Sequence, residues 1–210
     1  MIHILVADDH PLLRSGLRYV LEREPGFGPP GEAETAEQVL QKIDERHWDA
    51  VVLDIVMPGR SGLELLQEIR KRRPALPVLM LSMHSEEVYA VRAIKAGANG
   101  YLTKSSAATE LVGAIRRILA GKRYLSMALA EVLANAVEAG TERPTHEILS
   151  DREYHVVCQI ASGKTVSQIA QETSLSVKTI STYRARALEK MKMRTNAELA
   201  RYAIRSGLVD

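Results

Sequence analysis

Four short apolar runs in the first half of the chain each lead into a residue able to handle a phosphate or a metal ion. Ile2 to Ala7 leads into Asp8 and Asp9, Ala50 to Leu53 into Asp54, Pro77 to Leu81 into Ser82, and Asn99 to Thr103 into Lys104. Short runs rich in Val, Ile and Leu, separated by helix-length amphipathic stretches, are the pattern of parallel strands covered on both faces in successive βαβ units. With a weaker strand over Gly28 to Glu34, they predict an α/β, doubly wound, five-stranded parallel sheet. Such a sheet gathers its ligand site at the carboxyl ends of its strands, so side chains distant in sequence converge on one crevice.

A unit of this kind uses about 120 residues, so a 210-residue chain must carry a second domain. With 46% hydrophobic, 26% charged and 4% aromatic residues, the composition is globular and the cores rest on Leu, Ile, Val and Ala. No apolar run reaches membrane-spanning length, and Asp8-Asp9 interrupts the amino terminus before a signal-peptide hydrophobic region could form, so a cytoplasmic protein is expected. Cys158 is the sole cysteine, which excludes an internal disulfide or a cysteine-cluster metal site and suits core packing.

Helix ends are marked along the chain. Leu12 to Glu24 stops at Pro25-Gly26; Thr35 with Gln38 and Ser61 with Glu64 fit the capping-box pattern; Ser85 caps a helix through Lys95; Ala107 to Ala120 closes at Gly121. The stretch Leu125 to Ala139 reads as helical and Gly140 to Thr145 as a flexible connection. Beyond it, Ser150 with Glu153 opens a helix to about Ser162. Thr165 opens one to about Glu172, Ser176 one from Val177 to about Met191, and Asn196 a last one ending before Gly207.

Three carboxylates crowded at strand ends repel one another, and a divalent cation makes that arrangement tolerable. Oxygen ligands select Mg²⁺ or Mn²⁺. With Asp9 and Asp54 holding such an ion, the Asp54 carboxylate can attack a phosphoryl group, while Lys104 and the Ser82 hydroxyl compensate the phosphoryl oxygens.

Asp8-Asp9, Asp54 followed by Met57-Pro58-Gly59, Ser82, Tyr101 and Lys104 resemble the receiver domain of two-component response regulators, over residues 1–121. The resemblance implies a flavodoxin-like fold and Mg²⁺ bound by Asp8, Asp9, Asp54 and the main-chain carbonyl of Val56. It also implies a sensor histidine kinase as phosphoryl donor to Asp54. In that family the hydroxyl matching Ser82 swings toward the phosphate and the aromatic matching Tyr101 turns inward behind it. Ser105 departs from the pattern, since many receivers have proline after the lysine.

Net charge is +2, yet cations concentrate late in the chain. Residues 176–205 hold Lys178, Arg184, Arg186, Lys190, Lys192, Arg194, Arg201 and Arg205 against Glu189 and Glu198, the footprint expected of a nucleic-acid contact. The short helix from Thr165, the turn Thr173 to Ser176 and the basic helix form a helix-turn-helix pattern. On a wheel of about 100° per residue, Val177, Ile180, Ala187, Leu188 and Met191 share the packing arc. Lys178, Ser181, Thr182 and Ala185 face outward, where short side chains permit approach to base edges. Lys178, Tyr183, Arg186 and Lys190 would reach phosphates. Arg184 lies inside the apolar arc and is expected to snorkel or to pair with Glu153 or Glu172.

Leu149 to Glu153, Ala161 to Gly163, Ile169-Ala170, Ser176, Thr179-Ile180, Lys190-Met191 and Ala197-Glu198 fall where the LuxR-type helix-turn-helix signature falls, over residues 147–210. Tyr183 and Ala187 depart from the His and Ile common there. A receiver joined to such an all-α, four-helix domain resembles the NarL/FixJ class of response regulator, with residues 122–146 as a linker containing a helix. The resemblance implies a non-enzymatic transcription factor acting on double-stranded DNA and RNA polymerase. It also implies a homodimer when phosphorylated, with Ala200, Ala203 and Ile204 as dimer contacts. The enzyme alternative, a Mg²⁺-dependent phosphatase of the haloacid-dehalogenase type, carries its nucleophile in an Asp-x-Asp on the first strand. Here Asp8 and Asp9 are adjacent and the lone nucleophile follows a later strand. A phosphate-independent DNA-binding protein with a degenerate receiver would need gaps at the acceptor site, whose positions are all filled.

Overall fold

In the computed structural model of the chain, every residue of β1 (Ile4–Ala7), β3 (Ala50–Asp54) and β4 (Val78–Ser82) is buried, as strands covered on both faces must be. The structure describes residues 1–57, 60–83, 86–126, 145–173 and 175–209. They belong to two compact units, Met1–Leu133 and Ala134–Asp210. Of the residues named above, Pro58, Gly59, Ser85, Ser174 and most of the stretch from Leu125 to Thr145 lie outside the described residues; Leu125 and Ser126, which are described, are not helical.

In the first unit, β2 (Gly31–Ala33) and β5 (Gly100–Thr103) complete a parallel sheet of order β2-β1-β3-β4-β5. β2 is shorter than expected because Pro29 and Pro30 have no amide proton to give to the ladder. The helices are α1 (Pro11–Glu22), α2 (Ala36–Glu45), α3 (Gly62–Arg72), α4 (Glu86–Lys95) and α5 (Ala107–Leu119). Ile4, Val6, Val52, Leu79, Leu81 and Leu102 pack one sheet face against Leu17 and Leu21 of α1 and Leu111, Ile115 and Ile118 of α5. Alternation along the strands turns Leu5, Val51, Leu53, Met80 and Tyr101, all buried, to the opposite face.

Ser61 and Glu64 form the full capping box, whereas Thr35 forms half of one: its side chain accepts from the Gln38 amide, but Gln38 Oε1 accepts from Glu34 rather than Thr35. Gly62 is required by close approach, since a Cβ there would lie 2.0 Å from the Asp54 carbonyl oxygen. The start of α3 is thereby seated directly on the backbone of Asp54.

The second unit begins with a 3₁₀ turn (Thr145–Ile148), followed by α6 (Asp151–Ala161), α7 (Val166–Glu172), α8 (Val177–Lys190) and α9 (Asn196–Arg205). Full capping boxes open α6 at Ser150, α7 at Thr165 and α9 at Thr195. Val156, Ile160, Ile169, Ala170 and Ile180 form its core, and Cys158 is buried. No helix among the described residues is long and apolar enough to cross a membrane.

Candidate functional site

The parallel register carries Asp8, Asp54, Ser82 and Lys104 to one end of the sheet. Asp54 ends β3 and is 1% exposed; Asp8, following β1, is fully buried; Ser82 ends β4 and is buried; Lys104 follows β5. The Lys104 ammonium stands 2.7 Å from Asp8 Oδ2 and 2.7 Å from Asp54 Oδ2, spanning the two carboxylates. Its backbone amide donates to the Ser82 carbonyl at 2.7 Å, fixing β5 against β4 at the level of the site. Asp54 Oδ1 accepts from the Val56 amide at 3.2 Å.

Burial, and then the neighbouring Asp8 carboxylate, push the Asp54 carboxyl up to about 7, against the lowering pull of Lys104 and the Val56 amide. Burial alone would lower Lys104, but the Asp54 and Asp8 carboxylates hold it above the ordinary lysine value. The pair is thus a crowded set of negative charge for which one ammonium is incomplete compensation.

Asp8, Asp9, His10 and Asp54 each present a ligand atom, and these atoms lie within 4.8 Å of one another. Neither Asp8 Oδ2 nor Asp9 Oδ1 accepts a well-directed hydrogen bond, although the ammonium beside Asp8 compensates its charge. Carboxylate oxygens converging on a partly open crevice fit a hard divalent cation of the Mg²⁺ type. His10 Nδ1, 2.7 Å from Asp9 Oδ1 and 3.0 Å from Asp8 Oδ1, was not expected at the site. Its signal is its place directly after the two acids.

Arg14 is the other unexpected residue. It is buried on α1, donates from Nη1 to the Asp8 carbonyl at 2.7 Å, and pairs with Glu34 and Glu32 of the β2 region. The spacing Arg14, Leu17, Leu21 is the buried stripe of α1, so a cation in that period is the available sequence signal. Tyr101 is fully buried on β5, on the face opposite Leu102.

On α8, Lys178, Ser181, Thr182, Ala185 and Arg186 are exposed and Ile180 and Ala187 are buried. Val177 leaves the expected packing arc: as the first residue of the helix it is 50% exposed. Tyr183 is half-buried against the core. Lys190 turns inward, its ammonium 2.7 Å from the buried carboxylate of Glu153. Arg184 pairs with neither acid, because Lys190 occupies Glu153 and Lys164 occupies Glu172; its Nε donates to Asn196 Oδ1 at the start of α9. On α9, Ile204 is 57% exposed and Ala200 partly so, but Ala203 is 0% exposed, spent on the contact of α9 with α6 and unable to meet a second copy.

Residues 4–116 match the family model described as the response regulator receiver domain, and residues 147–203 that of bacterial regulatory proteins of the luxR family. The chain is 36% identical over 211 residues to response regulator GacA of Pseudomonas aeruginosa, covering 100% of this chain and 99% of that protein. It is 35% identical over 211 residues to response regulator UvrY of Escherichia coli, covering 100% and 97%. Among solved structures it is similar to a LuxR-family two-component response regulator from Aurantimonas, with 40% identity, 64% of this chain and 96% of that one covered, and a TM-score of 0.60. It is also similar to RcsB of Salmonella enterica serovar Typhimurium bound to a promoter in the presence of the phosphomimetic BeF₃⁻, with 26% identity, 98% of each chain covered, and a TM-score of 0.61.

Proposed function

The chain belongs to the response regulators that join a receiver domain to a luxR-family DNA-binding domain, and from that premise we propose that it is a transcription factor switched by a phosphoryl group on Asp54. Residues 1–121 are the input, 147–210 the output and 122–146 the connection. The observation that carries the reading is the Lys104 ammonium at 2.7 Å from both Asp8 and Asp54, a preformed cation where a phosphoryl oxygen would develop charge.

A histidine phosphoramidate of a sensor kinase supplies the phosphoryl group. An Asp54 oxygen forms the new P–O bond while the P–N bond breaks and its electron pair returns to the imidazole. Mg²⁺ held by Asp8, Asp9, Asp54 and the Val56 carbonyl would supply the charge that keeps Asp54 ionised and compensates the phosphoryl oxygens. Lys104 follows the charge from carboxylate to phosphoryl oxygen, and the Ser82 hydroxyl donates to another. Because Ser82 and Lys104 are tied through their backbones, their motion is felt along β4 and β5, where Tyr101 links the site to the α4-β5-α5 surface.

The altered surface favours a dimer or frees the output unit, and two copies of α8 enter successive major grooves. Ser181, Thr182 and Ala185 face base edges, with Lys178 and Arg186 on flanking phosphates. Ile204 and Ala200 are the available dimer contacts on α9. Selection from a random duplex pool at stated salt, with and without beryllofluoride and Mg²⁺, tests the reading. Enrichment of one motif, strengthened by beryllofluoride in the wild type and not in Asp54→Asn, is expected; no enrichment in either state overturns it.

A further inference from the structure

A concave groove of about 400 Å³ lies in the second unit, lined by Lys192, Met193, Arg194, Glu198, Arg201, Tyr202 and Arg205. Among the described residues, none of its four cations is paired with a carboxylate within 4.0 Å. The one acid, Glu198, is committed to capping α9 through the amides of Arg194 and Thr195, at 2.6 and 3.2 Å. Four positive charges share the concavity with the single carboxylate of Glu198, beside which Arg201 and Arg194 stand, and leave it net positive, a surface that favours an anion.

A second observation points the same way. Lys192, which ends α8, is the only non-glycine residue of positive φ among the described residues, at 56°. That left-handed position at a helix end is the ordinary place of glycine, which occupies it without steric cost. The other helix-ending residues of positive φ, at 97, 121, 163 and 207, are all glycines. A lysine at this left-handed position lines the groove.

We propose that Lys192, Arg194, Arg201 and Arg205 form a clamp for the phosphate backbone of duplex DNA, beside the base-facing side chains of α8; the inference rests on the DNA-binding reading above. The clamp carries no sequence information. It adds register and affinity, and it makes Lys192 a residue retained for binding against the conformational preference of its own backbone.

The test measures binding of the full-length chain to a random-sequence 24-bp duplex by fluorescence anisotropy, across a salt series, with thermal unfolding of each variant. Lys192→Gly is expected to unfold at the same or a higher temperature while binding about fivefold more weakly at 100 mM salt, with the slope of log affinity against log salt smaller by about 0.9. Arg201→Gln with Arg205→Gln is expected to reduce the slope by about 1.8 and to leave the ranking among duplex sequences unchanged. A wild-type slope in both variants, or a Lys192→Gly protein that loses thermal stability, overturns the clamp. Saturable pyrophosphate binding lost in these variants, with duplex binding unaltered, assigns the groove to small anions and overturns it equally. Wild-type protein that binds no duplex at any salt removes the DNA-binding reading itself, an outcome separable from variants that merely match the wild type.

Discussion

Asp54 is held in a state that its surroundings oppose. Burial and Asp8 raise its carboxyl to about 7 from the ordinary 3.8, so the folded chain binds a proton there more tightly than the unfolded chain does. A carboxyl raised in the folded state adds stability at low pH and loses it as pH rises from about 4 through 7. The metal-free protein is therefore expected to lose stability across that window, and 10 mM Mg²⁺ to restore more at pH 7.5 than at pH 5. A millimolar site would give about 1.4 kcal/mol at the higher pH. In Asp54→Asn the raised carboxyl is gone, so the metal-free variant should exceed the wild type in stability at pH 7.5, with the gap closing toward pH 5. Thermal unfolding at the two pH values with and without Mg²⁺ checks both statements; a wild type insensitive to Mg²⁺ at pH 7.5 contradicts them. The same crowding explains why the site is legible in sequence. Asp8, Asp54, Ser82 and Lys104 each follow a β-strand run, and parallel topology alone brings such positions together. The direction of a side chain is not so constrained: the adjacency of His10 to the two acids is visible in sequence, but not that its ring turns back onto them.

Elements in this chain are joined by ion pairs in which one partner is buried and the other reaches solvent. Arg14 serves three acceptors at once, tying α1 to the Asp8 carbonyl and to the acids of the β2 region. Arg14→Met should cost about 1–3 kcal/mol in denaturant unfolding, chiefly through the unpaired Asp8 carbonyl, since Glu32 and Glu34 can regain water. Arg14→Lys should not rescue it, because an ammonium lacks the planar fork. In the second unit, Lys190 binds Glu153 across α8 and α6. Burial works to raise Glu153, but the Lys190 ammonium and the Ser150 amide hold it below its ordinary value. A carboxyl lowered in the folded state adds stability above about 4.5 that is lost as pH falls. Lys190→Met should reduce stability by about 1 kcal/mol, discounted for the partial exposure of the lysine, and leave the salt slope of DNA binding near the wild-type value. Lys178→Met should do the reverse; equal slopes for the two would return Lys190 to the DNA. The capping boxes at Ser61, Ser150 and Thr165 are legible because both halves lie within three residues. Lys190, Arg184 and Ala203 are not, because their partners belong to other elements and only tertiary packing decides between solvent, acid and core.

At the scale of the whole molecule, the proposed phosphoacceptor Asp54 and the proposed DNA-facing side chains of α8 belong to separate compact units, so regulation requires that the two share an equilibrium. Thermodynamics then fixes a relation that needs no knowledge of the path between them. If the phosphoryl mimic tightens operator binding by some factor, the operator must tighten binding of the mimic by the same factor. A tenfold effect corresponds to about 1.4 kcal/mol of coupling, within the range of ordinary allosteric proteins. The expected outcome is that a selected duplex, at saturating concentration, shifts the beryllofluoride titration of the wild-type receiver to lower concentration by the factor that beryllofluoride shifts the duplex titration. Both titrations belong at one salt and one Mg²⁺ concentration, because phosphate contacts respond to each. Dimerisation enters the same cycle: when the mimic acts by joining two chains, the reciprocal shift is largest in dilute protein and shrinks toward none at concentrations where the chains are already paired without the mimic. A shift independent of concentration instead means that the mimic acts within one chain, by changing how often α8 is free to bind. An operator that leaves the beryllofluoride titration unmoved, while beryllofluoride itself tightens the operator, would violate the cycle. Absence of both shifts would show two units that share a chain without sharing an equilibrium.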